Sequence, residues 1–360
     1  MSRPRFNNLR VCDVRRETAD CVSVAFEVPT ELREAYHFQH GQYLTLRHTI
    51  GGEDIRRSYS ICSGINDGEL RVAVKEVPTG AFSTFVNREL KVGDEIQVMT
   101  PTGNFTIPLN PKLNRFFLLI AAGSGITPVM SIARSILSTE PESEVSLIYG
   151  NRLFNSIIFR EELEDLKDTY LGRFRVFHVL SGEPNEIPLF HGRIDEKKLE
   201  LFDKTFVPMK DLDAAFICGP EPMIHAASAY LESLGVAKEK VHFELFLAPS
   251  QKAAPERPRA ERIETTGDCF VSVIFDGQQT DFRMPKDGLP ILEAAQKQGL
   301  DIPFSCKGGM CCTCRAHIDE GKVEMDVNYA LEPGEVEAGF VLTCQSHPRT
   351  DKVVVNFDQQ

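Results

Sequence analysis

The sequence contains no long hydrophobic run and no excess of positive charge. Nowhere in its 360 residues do eighteen consecutive apolar residues occur, so we expect no membrane-spanning helix. Basic residues near the N-terminus are not followed by an apolar stretch, so we expect no signal peptide and a cytoplasmic location, where thiols stay reduced. The formal net charge is −12, and residues 269–360 hold 14 acidic against 8 basic side chains. This balance argues against a nucleic-acid-binding protein.

Internal repeats are also absent from the sequence, and the pattern of apolar and polar residues changes from one segment of the chain to the next. Residues 1–108 alternate apolar and polar positions between turn signals, which predicts a small antiparallel β-barrel. Residues 109–247 alternate nearly apolar strands with helices, which predicts an α/β domain with a parallel sheet covered on both faces. Residues 248–268 contain three prolines and no periodic face. As a flexible coil this linker would span roughly 25 Å. Residues 269–360 are predicted to form a small α+β domain.

Four cysteines lie within the nine-residue stretch "CKGGMCCTC". A disulfide knot, a zinc site and an iron–sulfur cluster are the alternatives. A reducing compartment disfavours disulfides, and structural zinc sites usually combine two separate cysteine pairs. The spacing Cys306-x4-Cys311-x2-Cys314, with Cys344 thirty residues later, is the plant-type 2Fe–2S pattern. We therefore predict that these four thiolates bind a 2Fe–2S cluster and that Cys312 is not a ligand.

The stretch "RRSYS" matches R-x-Y-S, the flavin motif of the ferredoxin–NADP reductase family. The resemblance implies that Arg57 neutralises the FAD pyrophosphate, that the ring of Tyr59 lies against the isoalloxazine, and that Ser60 hydrogen-bonds the flavin edge. "VKEVPTGAFS" is similar to the family's second flavin element, whose backbone N–H groups and hydroxyl meet the phosphates. The alternatives are an exposed arginine with a packed tyrosine, and a plain turn before a helix. The flavin residues implied are Arg57, Ser58, Tyr59, Ser60, Val74, Lys75, Gly80, Ala81, Phe82 and Ser83.

Two further stretches are typical of the nucleotide half of this family. "AAGSGITP" follows an apolar strand and opens a helix, as a nucleotide-phosphate loop does, and has the family's G-x-G-x-x-P form. "ICGPEPM" is expected to end a strand at the carboxyl edge of the sheet, where ligands bind in open α/β sheets. The resemblance places Thr127 and Cys218 beside the nicotinamide, although a lone cysteine in a strand is more often simple packing. The nucleotide residues implied are Gly123, Gly125, Thr127, Cys218, Gly219, Pro220 and Met223.

Nucleotide selectivity depends on the residues after the strand "SLIYG". Basic residues there meet a 2′-phosphate, whereas an acidic residue meets a 2′-hydroxyl. Arg152 and later Arg160 follow this strand, with no acidic residue before Glu161, so we predict NADPH as the hydride donor. A solvated loop charge is the alternative for Arg152. Phe246 is expected either to cover the flavin, as the family's terminal aromatic does, or to belong to the core.

Over its whole length the chain resembles the reductase subunits of phenylacetyl-CoA epoxidases, a branch of this family with a C-terminal plant-type ferredoxin domain. Besides the motifs above, the resemblance rests on "EAYHFQHGQYLTL", "LIYGNR", "FHGRID" and "NYALEPGEVEAGFVLTCQ". One departure is Cys312, which stands where a small residue such as alanine is expected. It implies a β-grasp fold for the last domain. It also implies an acceptor made of diiron oxygenase subunits, in aerobic phenylacetate degradation. The alternatives are a reductase for another diiron or Rieske oxygenase or metalloprotein, and a non-enzymatic zinc module.

The activity expected from this resemblance is that of an NADPH-dependent oxidoreductase. It would pass electrons singly from FAD through the 2Fe–2S cluster to the acceptor. Ser60, Thr127 and Cys218 are the predicted catalytic residues, because they would hold nicotinamide and flavin face to face. The sequence lacks the paired helical Glu-x-x-His motifs of a diiron bundle, so we expect oxygenation to occur in other subunits.

Overall fold

The computed structural model describes residues 5–246 and 267–359, which form three domains in sequence order. The linker predicted at 248–268 lies outside the described residues except for its last two positions, and Asp268 already begins a strand. The other domain limits stay predictions. Within the described part of the chain, no helix is both long and apolar enough to cross a membrane.

The first domain is a six-stranded antiparallel sheet, as the alternating pattern predicts. Its elements are β1 (Phe6–Thr18), β2 (Cys21–Glu27), β3 (Tyr43–Ile50), β4 (Glu53–Ser60), β5 (Leu70–Lys75), α1 (Ala81–Arg88) and β6 (Glu95–Met99). The strands follow the spatial order β4-β3-β6-β1-β2-β5. A bridge between Ile61 and Val72 joins the two edges, so the sheet closes into a barrel. Buried side chains such as Leu44 and Leu46 fill its interior.

The second domain is a parallel sheet covered by helices, again as predicted. Its elements are β7 (Phe116–Ala122), α2 (Ile126–Thr139), β8 (Glu144–Asn151), α3 (Arg160–Thr169), β9 (Phe174–Leu180), α4 (Glu196–Thr205), β10 (Ala214–Gly219), α5 (Glu221–Ser233) and β11 (Val241–Leu245). The spatial order is β11-β10-β7-β8-β9. Successive residues of β7 belong to different cores, Phe117 and Leu119 to one face and Leu118 and Ile120 to the other. A strand buried on both faces has to be apolar throughout, which explains the run "FFLLIAA".

The third domain is a mixed sheet with two short helices. Its elements are β12 (Asp268–Phe275), β13 (Gln278–Pro285), α6 (Ile291–Lys297), β14 (Arg315–Glu320), β15 (Val323–Met325), α7 (Pro333–Glu337), β16 (Phe340–Leu342), β17 (Ser346–Pro348) and β18 (Lys352–Asn356). The main sheet has the order β13-β12-β18-β14-β16, in which β12 and β18 are parallel and the other neighbours antiparallel. Ile291, Leu292 and Ala295 of α6 share one core with the buried residues of the sheet.

The apolar cores divide the molecule into two units. The barrel residues Cys62 and Phe105 belong to the same core as Phe117 and Phe216 of the parallel sheet, so the first two domains are packed together. The core of the third domain is built from its own residues, 269–357. The loop at 306–314 lies on this third domain, between α6 and β14.

Candidate electron-transfer site

The four predicted cluster ligands lie together as two thiol pairs. The thiol of Cys311 donates a hydrogen bond to Sγ of Cys306 at 3.2 Å, and Cys314 is hydrogen-bonded to Cys344. Cys306 is exposed, whereas the other three are buried. The hydrogen bond from Cys311, together with nearby backbone N–H groups, lowers the pKa of Cys306 to about 6, against the opposing effect of burial. Two thiol pairs suit a binuclear cluster, because each iron takes two thiolates.

The surroundings of the thiols agree with an iron–sulfur cluster. The backbone N of Gly308 lies 3.4 Å from Sγ of Cys306, so the loop directs N–H groups at sulfur. Cys312 is turned elsewhere, and its thiol donates to the carbonyl of Ala330 at 3.4 Å. In residues 5–246 and 267–359, no three His, Cys, Asp or Glu side chains converge as a single metal ion requires. The donor set therefore fits a cluster with two metals better than one tetrahedral zinc.

The predicted flavin motif lies on β4, where Ser60 is buried opposite Tyr43 of β3. The ring of Tyr59 packs against the barrel core, 6.0 Å from the ring of Phe82, and burial raises the pKa of its hydroxyl. Arg57 is exposed and its Nη1 donates to the preceding carbonyl at 2.7 Å. A half-buried aromatic ring beside an exposed guanidinium can meet both the ring system and the pyrophosphate of a flavin nucleotide.

The second predicted flavin element leads from β5 into α1. Val74 is buried at the end of β5, and Nζ of Lys75 pairs with a carboxylate of the barrel at 3.5 Å. A Cβ at Gly80 would lie 2.4 Å from the side chain three positions earlier and 2.6 Å from Oγ of Ser83, so the turn has no room for a larger residue. Ala81 is the first helical residue and is exposed. The hydroxyl of Ser83 donates to the carbonyl of Gly80 at 3.0 Å and holds the turn.

The two predicted nucleotide motifs meet at the carboxyl edge of the parallel sheet. β7 lies between β8 and β10, so chain order reverses there and the loop after β7 faces the end of β10. A Cβ on Gly125 would lie 2.2 Å from the carbonyl oxygen of Cys218, so only glycine permits this approach. Thr127 is buried and donates to the carbonyl of Ser124 at 3.1 Å. Burial raises the pKa of the Cys218 thiol, which therefore stays neutral.

The remaining motif residues surround the same edge. Gly123 has a φ of +54°, and its carbonyl accepts a hydrogen bond from the hydroxyl of Tyr149 at 3.0 Å. Gly219 ends β10 against Cε of Met223, and Pro220 caps α5. The structure thus brings the residues of "AAGSGITP" and "ICGPEPM" into one crevice, although they are about ninety positions apart in the sequence.

The two predicted selectivity arginines have different surroundings. Arg152 is exposed just after β8, and its carbonyl accepts a hydrogen bond from the N–H of Gly182 after β9 at 2.7 Å. It therefore lies at the carboxyl edge. Arg160 begins α3, with its guanidinium 4.7 Å from the ring centre of Phe154. It lines a separate cavity of 360 Å³ that is also bordered by Arg16 of the barrel.

Glu244, which none of the sequence motifs includes, lies on β11 directly beside Cys218 of β10. Its Oε2 is shielded from solvent and has no hydrogen-bond partner among the described residues. Burial raises the pKa of this carboxyl group to about 8. The residue as a whole is half-buried, and a carboxyl oxygen that is shielded from solvent without a partner is unusual in proteins and is typical of functional sites. The one available signal was an acidic residue inside the otherwise apolar strand "VHFELF".

Phe246 is the last residue described in the second domain. It is half-buried and packs against the core that the barrel and the parallel sheet share. Phe246 therefore contacts the core, and its position over the flavin stays a prediction.

Three domain families match the chain in the predicted order. They are the oxidoreductase FAD-binding domain at 8–107, the oxidoreductase NAD-binding domain at 119–229 and the 2Fe-2S iron-sulfur cluster binding domain at 273–349. One of the subunits of 1,2-phenylacetyl-CoA epoxidase from Escherichia coli K12 is 42% identical over 98% of both chains. The ferredoxin reductase component of 3-ketosteroid-9-alpha-monooxygenase from Rhodococcus rhodochrous is 34% identical over 97% of this chain and 96% of its own. The chain belongs to the family of oxygenase reductases.

Solved structures confirm the predicted architecture of this reductase. Phthalate dioxygenase reductase superposes with a TM-score of 0.59 at 23% identity over 98% of both chains. An intact type IV self-sufficient cytochrome P450 monooxygenase gives a TM-score of 0.68 at 20% identity, over 97% of this chain and 41% of the other. The matched families also confirm the predicted binding of FAD, a nicotinamide nucleotide and a 2Fe–2S cluster. The individual site residues stay predictions.

Proposed function

We propose that this reductase takes electrons from NADPH and delivers them to the diiron oxygenase subunits of a phenylacetyl-CoA epoxidase. The observation that carries the proposal is the 42% identity to the epoxidase component from Escherichia coli, over 98% of both chains. A match of that extent includes all three domains, which supports the same role for this chain, that of the reductase component in a multicomponent complex. We also propose a cytoplasmic location, because none of the ten cysteines forms a disulfide, which is the state that a reducing compartment maintains.

The chain's own contribution to hydride transfer is positioning. When bound, FAD accepts a hydride from NADPH, and the 2Fe–2S cluster takes up electrons one at a time. Thr127, just after the loop that follows β7, and Cys218, near the end of β10, would hold the nicotinamide at the carboxyl edge of the parallel sheet. Tyr59 and Ser60 would hold the flavin on the barrel side, and Arg57 would neutralise its pyrophosphate. Holding both rings in reacting geometry is where most of the rate enhancement arises in such transfers.

The cluster loop supplies ligands and a polar shell. Cys306 with Cys311 would ligate one iron, and Cys314 with Cys344 the other. The hydrogen bond from Cys311, and after it the backbone N–H groups that point at sulfur, lower the pKa of Cys306 in the protein alone, and the backbone groups would likewise stabilise thiolate charge in a bound cluster. Three of the four ligands are buried, which limits access of water to the site.

Selectivity for NADPH is assigned to Arg152. Its exposed side chain lies at the carboxyl edge, next to the loop after β9, where the ribose end of a nucleotide bound in the crevice can reach it. Arg160 borders a separate cavity, so the assignment rests on Arg152.

Acceptor-dependent oxidation of NADPH tests the proposed function. Purified holoprotein is mixed with NADPH, first alone and then with the diiron oxygenase subunits of a phenylacetyl-CoA epoxidase and phenylacetyl-CoA. We expect the acceptor to accelerate NADPH oxidation at least about tenfold, with formation of the epoxide. A Rieske oxygenase serves as the control acceptor. Acceleration by the control but not by the diiron subunits would contradict the proposal.

The second candidate is a reductase for a different oxygenase. It is favoured by the 34% identity to the 3-ketosteroid-9-alpha-monooxygenase component and by the 30% identity to the glycine betaine monooxygenase reductase subunit of Pseudomonas aeruginosa PAO1. The same acceptor assay with those oxygenases separates the two candidates.

A further inference from the structure

Arg56 lies between the barrel and the third domain, and none of the motifs assigns it a role. Its side chain is 2% exposed. The guanidinium stacks 4.2 Å from the ring centre of Phe304 and 5.2 Å from that of Phe6. It donates to Asp54 of its own domain at 3.1 Å and to Asp301 of the third domain. A buried guanidinium needs such partners, because removing an unpaired charge from water costs several kcal/mol.

Two further polar contacts connect the same surfaces beside the cluster ligands. The hydroxyl of Ser58, within the flavin motif, donates to that of Ser305 at 2.8 Å. The hydroxyls of Tyr43 and Thr313 are 3.1 Å apart. Ser305 directly precedes the first cluster ligand, and Thr313 directly precedes the third. This contact therefore holds the cluster loop against the strands that carry the predicted flavin residues.

Among the described residues, the ion pairs across this contact all have the same polarity. The barrel contributes the cations and the third domain the carboxylates. Besides the Arg56 pair, Arg47 lies 3.3 Å from Asp301, and Arg5 lies 3.2 Å from Asp276. Such a polar contact resembles transient interfaces between domains, which open more readily than large apolar ones. Ion pairs that reach solvent also weaken as salt rises, because counter-ions screen them.

We propose that the pair Arg56–Asp301 is a domain latch, which holds the third domain in the position where the cluster loop faces the flavin strands. Opening the latch frees the domain to carry electrons to the acceptor. Arg56 and Asp301 are thus positioning residues, which act through the orientation of the cluster loop. The proposal rests on the transfer from FAD to the cluster within one chain, and it does not depend on which oxygenase receives the electrons.

Charge variants of Asp301 test the latch in cluster-loaded holoprotein. Asp301→Asn removes the charge and Asp301→Lys reverses it. Asp281→Asn and Asp281→Lys are matched controls, because Asp281 lies on β13 and is hydrogen-bonded to Gln279 of its own domain. Iron and flavin contents are measured first, so that loss of a cofactor is recognised.

The primary measurement is domain position, by small-angle X-ray scattering and by hydrogen exchange of the segment 301–306. We expect a larger radius of gyration and faster exchange for Asp301→Asn, larger changes for Asp301→Lys, and none for the controls. In the unmodified protein the same changes should appear as salt rises from about 0.05 M to about 0.5 M. Equal scattering and exchange in all four variants would overturn the proposal.

The second measurement is transfer within the chain after one addition of NADPH. We expect the rate of cluster reduction to fall about tenfold in Asp301→Asn, while a dye that accepts directly from flavin is reduced at the unchanged rate. Cluster reduction that keeps its full rate in Asp301→Lys would overturn the role of the latch. Because no oxygenase is present in this assay, an incorrect acceptor assignment cannot produce that result.

Discussion

The carboxyl group of Glu244 keeps its proton to higher pH in the folded chain than in the unfolded one. Burial raises its pKa from an ordinary value of 4.5 to about 8. Between these two values the folded state binds one more proton than the unfolded state, so stability falls as pH rises through this window. Below pH 4.5 the group is neutral in both states, and the stability is fully present. Above pH 8 the folded chain has to hold an ionised carboxylate without a partner among the described residues.

Replacing Glu244 by glutamine removes this titration with little change of shape. We expect Glu244→Gln to unfold at the same temperature as the unmodified protein near pH 4, and a few degrees higher near pH 9. The difference should develop between the two pKa values given above. Thermal unfolding of the holoprotein across this pH range measures the effect, with the exposed Glu239→Gln as control. Parallel curves for Glu244→Gln and the unmodified protein would show that burial does not shift this group.

Arg152 is the residue on which selectivity for NADPH depends in the proposed function. A charge-assisted contact with the 2′-phosphate exists for NADPH and not for NADH. We therefore expect Arg152→Ala to raise the KM for NADPH about tenfold or more and to change that for NADH less than about twofold. Arg175→Ala is the matched control, because this arginine pairs at 2.6 Å with Glu144, the first residue of β8, at the opposite end of the sheet. Equal loss for both nucleotides would remove the assignment.

Residues whose role follows from a local motif could be predicted. Residues whose partners are distant in the sequence could not. The spacing of Cys306, Cys311 and Cys314 is itself the signal, because all three share one loop. Glu244 becomes distinctive only when β11 pairs with β10 and its Oε2 is shielded from solvent. Arg56 and Asp301 are 245 positions apart, and their contact depends on how two domains dock.

At the scale of elements, the cluster loop is required for electron transfer to the oxygenase but not for the transfer from NADPH to the flavin. We expect Cys314→Ser to abolish transfer to the oxygenase while NADPH-dependent reduction of a flavin-accepting dye continues, since the flavin and nucleotide sites lie on other domains. Cys312→Ser is the matched control in the same loop. Its thiol is hydrogen-bonded to Ala330, so the variant should retain both activities. Visible absorption reports the cluster, and loss of dye reduction in a flavin-loaded Cys314→Ser protein would contradict this order of transfer.

The elements that could be predicted are those with a wide apolar face. The sequence "RFFLLIAA" predicts a strand buried on both sides, and β7 occupies it. Helix α4 was not predicted, because only Lys198, Leu199 and Phe202 are buried and the apolar stripe is narrow. Strand β13 was missed for a similar reason. It lies at the edge of its sheet, and its buried residues are Phe282 and Met284.

At the scale of the whole molecule, the boundary between the two packing units is also the boundary between hydride transfer and the delivery of electrons to another protein. The barrel and the parallel sheet share one apolar core, so the flavin and nucleotide sites are held in fixed relation. The third domain has its own core and meets the barrel through hydroxyls, arginines and aspartates. Rigid coupling suits hydride transfer, which requires contact between two rings, and a polar contact suits a domain that delivers electrons to another protein.

A chain that ends at residue 246 should therefore remain a functional reductase for small acceptors. We expect it to fold, bind FAD and reduce a flavin-accepting dye with NADPH within about twofold of the full-length rate, because its cores are complete without the third domain. It should transfer nothing to the oxygenase. Supplying residues 267–360 as a separate cluster-loaded domain should restore part of the transfer at low salt and less at high salt, because the contact relies on pairs between arginine and aspartate. If the shortened chain fails to bind FAD, the third domain is part of the flavin site, and the division into two packing units is wrong.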